Sequence, residues 1–275
     1  MTFRAAILMA TTGMLMFGMT CAPSWSQPRA AQRPAASVPQ CDASKFRVII
    51  DVGHTPEIPG AISARGATEY DFNLRLAKVI EHKLNDAGYA RSSLLLANGP
   101  AIPSLVRRIA QANQMSADLL ISIHHDSVPE AFKLKWEHDG KQLEYSDRFR
   151  GHSIFVSNEN ADYPGSLAFG RLLGARLKAR GLQYTPHYTQ PFMGHRRRQL
   201  VDAETGVYRY DQLLILKATR MASVLLEAGS IINRDEEILM GQEEHQLQIA
   251  GAITEAVDKF CALRAATRTQ RASTQ

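Results

Sequence analysis

Two largely apolar runs of this chain each end in a histidine, and this pairing constrains the fold more than any other feature. The first run is Val48–Val52, followed by Gly53 and His54; the second is Leu119–Ile123, followed by His124. Short apolar runs are typical of strands that are buried on both faces of a parallel sheet. Because open α/β sheets bind ligands at the carboxyl ends of their strands, the sequence predicts that the two imidazoles share a site.

The rest of the apolar pattern alternates between strand and helix periods. This alternation predicts an α/β fold: a single domain with a twisted, mostly parallel six-stranded sheet and helices on both faces. The predicted strands are 47–52, 92–97, 119–124, 153–157, 213–217 and 223–227, and the predicted helices are 69–87, 103–115, 165–180 and 242–262. The segments 129–152 and 183–211 lack a clear period and are expected to be irregular insertions near the site.

Residues 1–26 have the layout of a cleaved signal peptide. Arg4 precedes an uncharged apolar stretch, and small residues occupy the −3 and −1 positions of a cut after Ser26. The stretch is shorter than the roughly 20 residues of a membrane span, although a retained anchor is the alternative. A lipoprotein would need lipidation at Cys21, and the residues before Cys21 match that signal poorly.

The remaining chain divides by composition into a Pro/Ala-rich linker at 27–44, a catalytic domain at 45–263 and a basic tail at 264–275. The formal net charge is +5, but six of the arginines lie in the signal, the linker and the tail. Residues 42–263 therefore have a net charge of about −1, which gives no reason to expect a nucleic-acid partner.

Export would leave two cysteines, Cys41 and Cys261, one before the first strand and one near the end of the last predicted helix. In an oxidising compartment such thiols can form a disulfide. Two independent thiols are the alternative, and the sequence does not decide between them.

A third metal ligand is available at Glu69, at the predicted start of a helix. Two histidines and one glutamate form a catalytic zinc set that leaves a fourth position for water. The alternative is two structural histidines and a helix cap. His125, beside His124, should point to the other face of the sheet and is interpreted as a structural or supporting residue.

Glu227 ends the apolar run Val224–Leu226. Burying a carboxylate there is costly unless it has a partner or a role. It could be the general base of a metal-dependent hydrolysis, or it could form a buried salt bridge with Arg220 or Lys217.

Together these residues resemble a known enzyme family. The matching pieces follow the same order over about 185 residues: 50–54, 60–61, Glu69, Arg107, 112–113, 117–118, 122–124 and 225–233. They resemble the zinc-dependent N-acetylmuramoyl-L-alanine amidases of the amidase-3 family.

The resemblance implies that His54, Glu69 and His124 bind Zn²⁺ and that Glu227 is the catalytic carboxylate. It implies hydrolysis of the amide bond between N-acetylmuramic acid and L-alanine in peptidoglycan, for cell-wall turnover and daughter-cell separation. With the export signal, we expect a periplasmic monomer that has peptidoglycan as its partner and no membrane span after signal cleavage.

Some positions depart from the family pattern. His125 and Asp126 follow the second zinc histidine where the family commonly has a small residue and Asn, and they are candidates for supporting the metal ligands. Ser230 replaces the usual Phe. The segment 129–152 lies where some members carry an inhibitory helix that an activator protein releases; here a substrate-binding hairpin is an equal alternative.

The run from His195 to Arg198 supplies candidate substrate-binding residues, Arg196 and Arg197, which could pair with stem-peptide carboxylates. A solvated basic loop is the alternative. Two other functions stay open at this stage: a zinc peptidase or carboxypeptidase that acts on wall peptides, and a non-catalytic wall-binding activator on the same scaffold. The presence of all four site residues argues against the activator.

Overall fold

A computed structural model describes residues 41–273 of the chain. The predicted signal peptide and nearly all of the predicted linker lie outside the described residues. Among those residues, no helix is long and apolar enough to cross a membrane.

The strands are β1 Val48–Val52, β2 Ser93–Leu95, β3 Leu119–Asp126, β4 Leu134–His138, β5 Lys141–Tyr145, β6 Ser153–Val156, β7 Gln199–Asp202, β8 Val207–Arg209 and β9 Ala222–Ser230. The helices are α1 Glu69–Asp86, α2 Ala101–Met115, α3 Tyr163–Ala179, α4 Leu214–Ala218, α5 Arg234–Gly241 and α6 Glu243–Ser273.

Seven of the strands form one mostly parallel sheet in the order β2-β1-β3-β9-β6-β8-β7. The four strands from β2 to β9 are parallel, whereas β6 pairs antiparallel with β9. The centre of the sheet is apolar on both faces because the core strands β1, β3 and β9 are almost entirely buried. Helices α1, α3 and α6 cover one face and α2 and α4 cover the other, so the predicted fold class is confirmed.

The number of strands in the sheet differs from the predicted six. Residues 213–217, predicted as a strand, lie mainly in the short helix α4, because the period of a five-residue apolar run cannot distinguish a strand from a helix turn. Two strands that were not predicted, β7 and β8, come from the segment 183–211 and lie at the edge of the sheet. Both strands are so short that they carry little alternation.

The segment 129–152 contains an antiparallel hairpin of β4 and β5. Its two-residue turn is Asp139–Gly140, and both residues have positive φ, 48° and 71°, as a type I′ hairpin turn requires. The hairpin is attached to the loop that precedes α1, since Trp136 donates from its indole nitrogen to the Ala64 carbonyl at 2.9 Å. The sequence left an inhibitory helix and a hairpin open for this segment, and the structure has a hairpin.

Both ends of the described chain are attached to the sheet domain. Cys41 and Cys261 form a disulfide with their Cα atoms 5.3 Å apart, which ties the chain before β1 to α6. Helix α6 continues to Ser273 through the predicted tail. There Arg264 and Arg268 form ion pairs with Asp162 and Asp118, so this part of the tail packs against the domain.

Candidate metal centre and catalytic cleft

The three predicted metal ligands meet at the carboxyl ends of β1 and β3 and the start of α1. Nε2 of His54 lies 3.0 Å from Oε2 of Glu69, and Nδ1 of His124 lies 2.8 Å from Oε1 of the same carboxylate. All three donor atoms lie within 4.8 Å of one another. Glu69 is buried and the two histidines are half-buried, so the cluster is open to a ligand on the histidine side.

Two glycines allow the ligands to come this close. A Cβ atom on Gly53 would lie 2.4 Å from the His124 ring, and a Cβ atom on Gly60 would lie 2.4 Å from Oε2 of Glu69. Gly60 also has a φ of +82°, which side chains other than glycine rarely adopt. His54 itself has a φ of 69°, and such left-handed backbone is often found at functional sites.

Hydrogen bonds from Ala61 and Asn73 fix the orientation of the Glu69 carboxylate. The backbone N–H of Ala61 donates to Oε2 at 3.0 Å, and the side-chain amide of Asn73 donates to Oε1 at 3.4 Å. Asn73 is fully buried and its Oδ1 lies 2.8 Å from Nδ1 of His125. The His125 ring therefore contacts Asn73, and the backbone N–H of His125 donates directly to Oε1 of Glu69 at 3.4 Å.

The Glu69 carboxylate is held in its ionised form, which is the form that binds a metal. Burial acts to raise the pKa of Glu69, but hydrogen bonds from His124 and His54 outweigh it and hold that pKa well below its usual range. Two donors on one tetrahedral zinc ion lie about 3.4 Å apart, given bonds of 2.0–2.1 Å. The two histidine–carboxylate distances are close to this value, so the donor set fits zinc with small side-chain adjustments.

Glu227 lies beside the cluster, on β9. Its register partner across the sheet is His124, so the two side chains lie on the same face of neighbouring strands. Lys217 pairs with Glu159 instead, and no salt bridge joins Glu227 to Arg220 among the described residues. Oε2 of Glu227 is buried without a hydrogen-bond partner within residues 41–273. Burial, followed by the nearby Asp126 and Glu69, raises the pKa of Glu227 well above its usual range.

Asp126 lies at the end of β3 in a second buried network. It accepts a hydrogen bond from the Tyr188 hydroxyl at 2.7 Å, and Nε2 of His187 lies 3.6 Å from the same oxygen. Burial raises the pKa of Asp126 to about 6, although the bond from Tyr188 acts in the opposite direction. Asp126 therefore organises the segment around Tyr188, on the Glu227 side of the cleft.

The predicted substrate-binding arginines are separated by the fold. Arg196 lines a cavity of about 260 Å³ together with Glu227, Tyr188 and Arg198. Arg197 is exposed, does not line this cavity, and donates from Nε to the Thr189 carbonyl at 2.8 Å. The structure thus brings Arg196, but not Arg197, to the candidate site.

A buried arginine on α2 is hydrogen-bonded to β1, the strand that leads to His54. Arg108 is 6% exposed and donates to both oxygens of Asp51 at 2.8 and 2.9 Å, and to the Val52 carbonyl. Its neighbour Arg107, which carried part of the family resemblance, is exposed and bonds to the Asn98 carbonyl. The structural contribution of this helix to the site therefore comes from Arg108.

A family model described as N-acetylmuramoyl-L-alanine amidase, Amidase_3, matches residues 48–259, a range that includes the metal cluster and Glu227. The chain belongs to this family. Among the curated members, the N-acetylmuramoyl-L-alanine amidase AmiC of Neisseria meningitidis is 25% identical over 237 residues. The match covers 78% of this chain and 52% of that protein, so the chain spans about half the length of this relative.

Solved structures of amidases share the fold. Ami1 of Mycobacterium smegmatis superposes with a TM-score of 0.61 at 20% identity, covering 79% of this chain and 97% of Ami1. The CwlD amidase of Clostridioides difficile, solved in complex with the GerS lipoprotein, gives a TM-score of 0.56 at 19% identity and covers 79% and 99% of the two chains. Because these identities are low, the two comparisons establish only that this chain shares its fold with the solved amidases.

Asn73 and Tyr188 were not predicted from the sequence as residues of the site. Asn73 lies four residues after Glu69, and this helical spacing could have indicated that the two share a face. Tyr188 belongs to a segment without periodicity. Because only tertiary packing brings that segment over β9, no local signal identifies Tyr188.

Proposed function

We propose that this protein is a zinc-dependent N-acetylmuramoyl-L-alanine amidase that hydrolyses the amide between N-acetylmuramic acid and L-alanine in peptidoglycan. The observation that carries the proposal is the convergence of His54, Glu69 and His124 next to Glu227, a buried carboxylate with no partner for its Oε2 in the described part of the chain. Family membership supports the same reaction.

In the proposed mechanism, His54, Glu69 and His124 would hold the zinc ion. A zinc ion bound there would supply a Lewis acid for the substrate carbonyl and a water molecule of lowered pKa. Glu227 accepts the proton from the attacking water and delivers it to the departing L-alanine nitrogen. Its raised pKa suits both steps, because the carboxylate is a stronger base than in water and its protonated form persists at higher pH.

The residues behind the cluster would keep this geometry during the reaction. Asn73 and the Ala61 N–H hold the Glu69 carboxylate in one orientation. His125 fixes Asn73 in turn, and Asp126 anchors Tyr188 on the other side of the cleft. Arg196 is proposed as a substrate-binding residue, since it lines the same cavity as Glu227.

The biological setting is part of the proposal. We place the enzyme in the periplasm, exported through the predicted signal, as a monomer that acts in wall turnover and daughter-cell separation. The complex of the CwlD amidase with the GerS lipoprotein supports an activator protein as a further partner. The hairpin β4–β5, which lies over the loop before α1, is the proposed contact region for such a partner or for the glycan.

A digestion of purified cell wall by zinc-loaded protein tests the reaction. We expect new amino termini on L-alanine and muramic acid freed of peptide, in amounts that match each other. A chelator should abolish the release and added zinc should restore it. Release of a carboxyl-terminal amino acid with no freed muramic acid would instead identify a wall carboxypeptidase, and no cleavage would identify a binding protein.

A further inference from the structure

Two cavities of opposite character lie on either side of the candidate active site. One, of about 200 Å³, is lined by His54 and His124 and by the start of α2. The other, of about 260 Å³, is lined by Glu227 and by the arginine segment. Leu213 and Leu225 line both cavities and separate them. A substrate that spans the metal centre would therefore place one end in each cavity.

Two arginines and one carboxylate, Glu227, line the cavity on the Glu227 side. Arg196 and Arg198 both line it, and neither has a carboxylate within ion-pair distance among the described residues. The guanidinium of Arg198 is held 3.6 Å from the centre of the Tyr210 ring, and its Nε atom is buried without a partner in the described part of the chain. The two guanidinium groups already donate to backbone carbonyls. Their remaining N–H groups can donate hydrogen bonds to an anionic group of a ligand.

The cavity on the histidine side is mainly apolar. Its rim carries large side chains that are unusually exposed, since Ile102 is 67% exposed, Ile58 45% and Leu214 38%. Clustered exposed apolar residues around a concave site often mark a binding surface. This cavity therefore suits an uncharged group with methyl substituents.

Glu227 sets the direction of the substrate, given the proposed function on which this inference rests. The carboxylate that protonates the leaving nitrogen must lie next to that nitrogen, so the peptide side of the amide faces the cavity that Glu227 lines. The acyl side, with its lactyl methyl, then faces the apolar cavity. The peptide that leaves with L-alanine carries its first free carboxylate on the glutamyl residue that follows.

We propose that Arg196 and Arg198 form a carboxylate subsite for the residue after L-alanine, which makes the enzyme selective for a glutamate over its uncharged amide at that position. The fold supplies a control within the same segment. Arg197 is the neighbouring cation, but it lies outside the cavity and bonds to the Thr189 carbonyl.

The test compares two defined substrates, muramoyl-L-alanyl-D-glutamate peptides with a free or an amidated glutamyl carboxylate, cleaved by the zinc-loaded protein. We expect kcat/KM to favour the free carboxylate by at least about tenfold, as expected for a hydrogen bond to a charged group. Arg196→Gln and Arg198→Gln should each reduce this preference several-fold, chiefly by slowing cleavage of the charged substrate. Arg197→Gln should retain the preference, and Arg196→Lys should restore part of it.

A binding measurement gives a readout independent of turnover. A product peptide of L-alanine and D-glutamate, with the glutamyl γ-carboxyl blocked as an amide, should bind the parent protein more tightly when its α-carboxylate is free than when it is amidated. This difference should shrink in Arg196→Gln but persist in Arg197→Gln. Equal kcat/KM for the two substrates, or arginine variants that slow both substrates alike, would overturn the subsite while leaving the amidase proposal intact. Failure to cleave either substrate at the muramoyl amide would instead contradict the amidase proposal.

Discussion

His124 and Glu227 are register partners on the adjacent parallel strands β3 and β9. The candidate metal ligand and the candidate proton carrier are therefore held about 4.8 Å apart at the backbone by the sheet itself. Both strands are buried in the centre of the sheet, so neither residue depends on a mobile loop for its position. A site built on rigid elements keeps its groups in register with the reacting bond.

Glu227→Gln should lower kcat by about 10²–10⁴-fold, the usual contribution of a positioned acid–base group. The amide keeps the shape of the side chain but cannot carry the proton. Zinc content and the folded structure should stay unchanged, and the exposed Glu204→Gln variant should retain parent activity. Wall cleavage by the Glu227→Gln protein at the parent rate would reject this residue as the proton carrier.

Asn73→Ala should weaken zinc binding by about 10–100-fold, as is common when a group that orients metal ligands is removed. The substitution leaves both the Glu69 carboxylate and the His125 ring without their shared partner. Competition with a chelator of known affinity measures the change, and Asn85→Ala, on the exposed end of the same helix, serves as the control. An unchanged zinc affinity in the Asn73→Ala protein would show that Asn73 is not needed to orient the ligand.

His152 should lower the stability of the fold in mild acid, in addition to the buried His125 and His187, whose pKa values are lowered in the same direction. Burial lowers the pKa of His152 to about 4, so the ring stays neutral in the folded protein while the unfolded chain takes up a proton below about pH 6.5. Its contribution is complete above pH 6.5 and is lost as the pH falls towards 4. At pH 5 the loss is roughly 2 kcal/mol of unfolding free energy.

Urea unfolding at pH 7.5 and pH 5 measures this effect. The difference in unfolding free energy between the two pH values should shrink in His152→Gln, whatever the substitution does to absolute stability. The matched variant His82→Gln, at an exposed site, should retain the parent difference. If both variants show the parent pH dependence, the acid sensitivity arises elsewhere.

Loss of the disulfide should destabilise the domain without changing the active site. The bond joins Cys41 to Cys261 and closes almost the whole domain into one loop, so its removal should cost about 3–5 kcal/mol. The double variant Cys41→Ser/Cys261→Ser should unfold at lower urea concentration than the parent and match the reduced parent. Activity well below the unfolding transition should be the same for both, and a large drop in activity would argue against a purely structural role.

The parts of the fold that follow from buried apolar runs could be predicted from the sequence. The strands β1, β3 and β9 are such runs, and the position of His54, His124 and Glu227 at the ends of these runs was enough to predict that they meet at the carboxyl ends of the strands. The segment 213–217 was assigned wrongly because its short apolar run suits a helix equally well. The hairpin turn at Asp139–Gly140 carried a recognisable dipeptide signal, but polar flanking residues obscured its alternation.

The cleft on the Glu227 side could not be predicted at residue level. Arg196, Arg197 and Arg198 are equivalent in sequence, and only the path of the chain across β9 separates those that line the cavity from the one that does not. The same holds for Tyr188, whose role depends on a hydrogen bond to Asp126 from 62 residues away. Long-range packing of aperiodic segments therefore decides the substrate side of the site.

The most direct test is the zinc content and zinc affinity of the purified mature protein, measured by elemental analysis and chelator competition. We expect one tightly bound zinc ion per chain, and an affinity loss of at least about 100-fold in Glu69→Gln and in His124→Ala, with Glu204→Gln unchanged. A parent protein that binds no zinc, or a Glu69→Gln protein that binds it as tightly as the parent, would contradict the shared metal site.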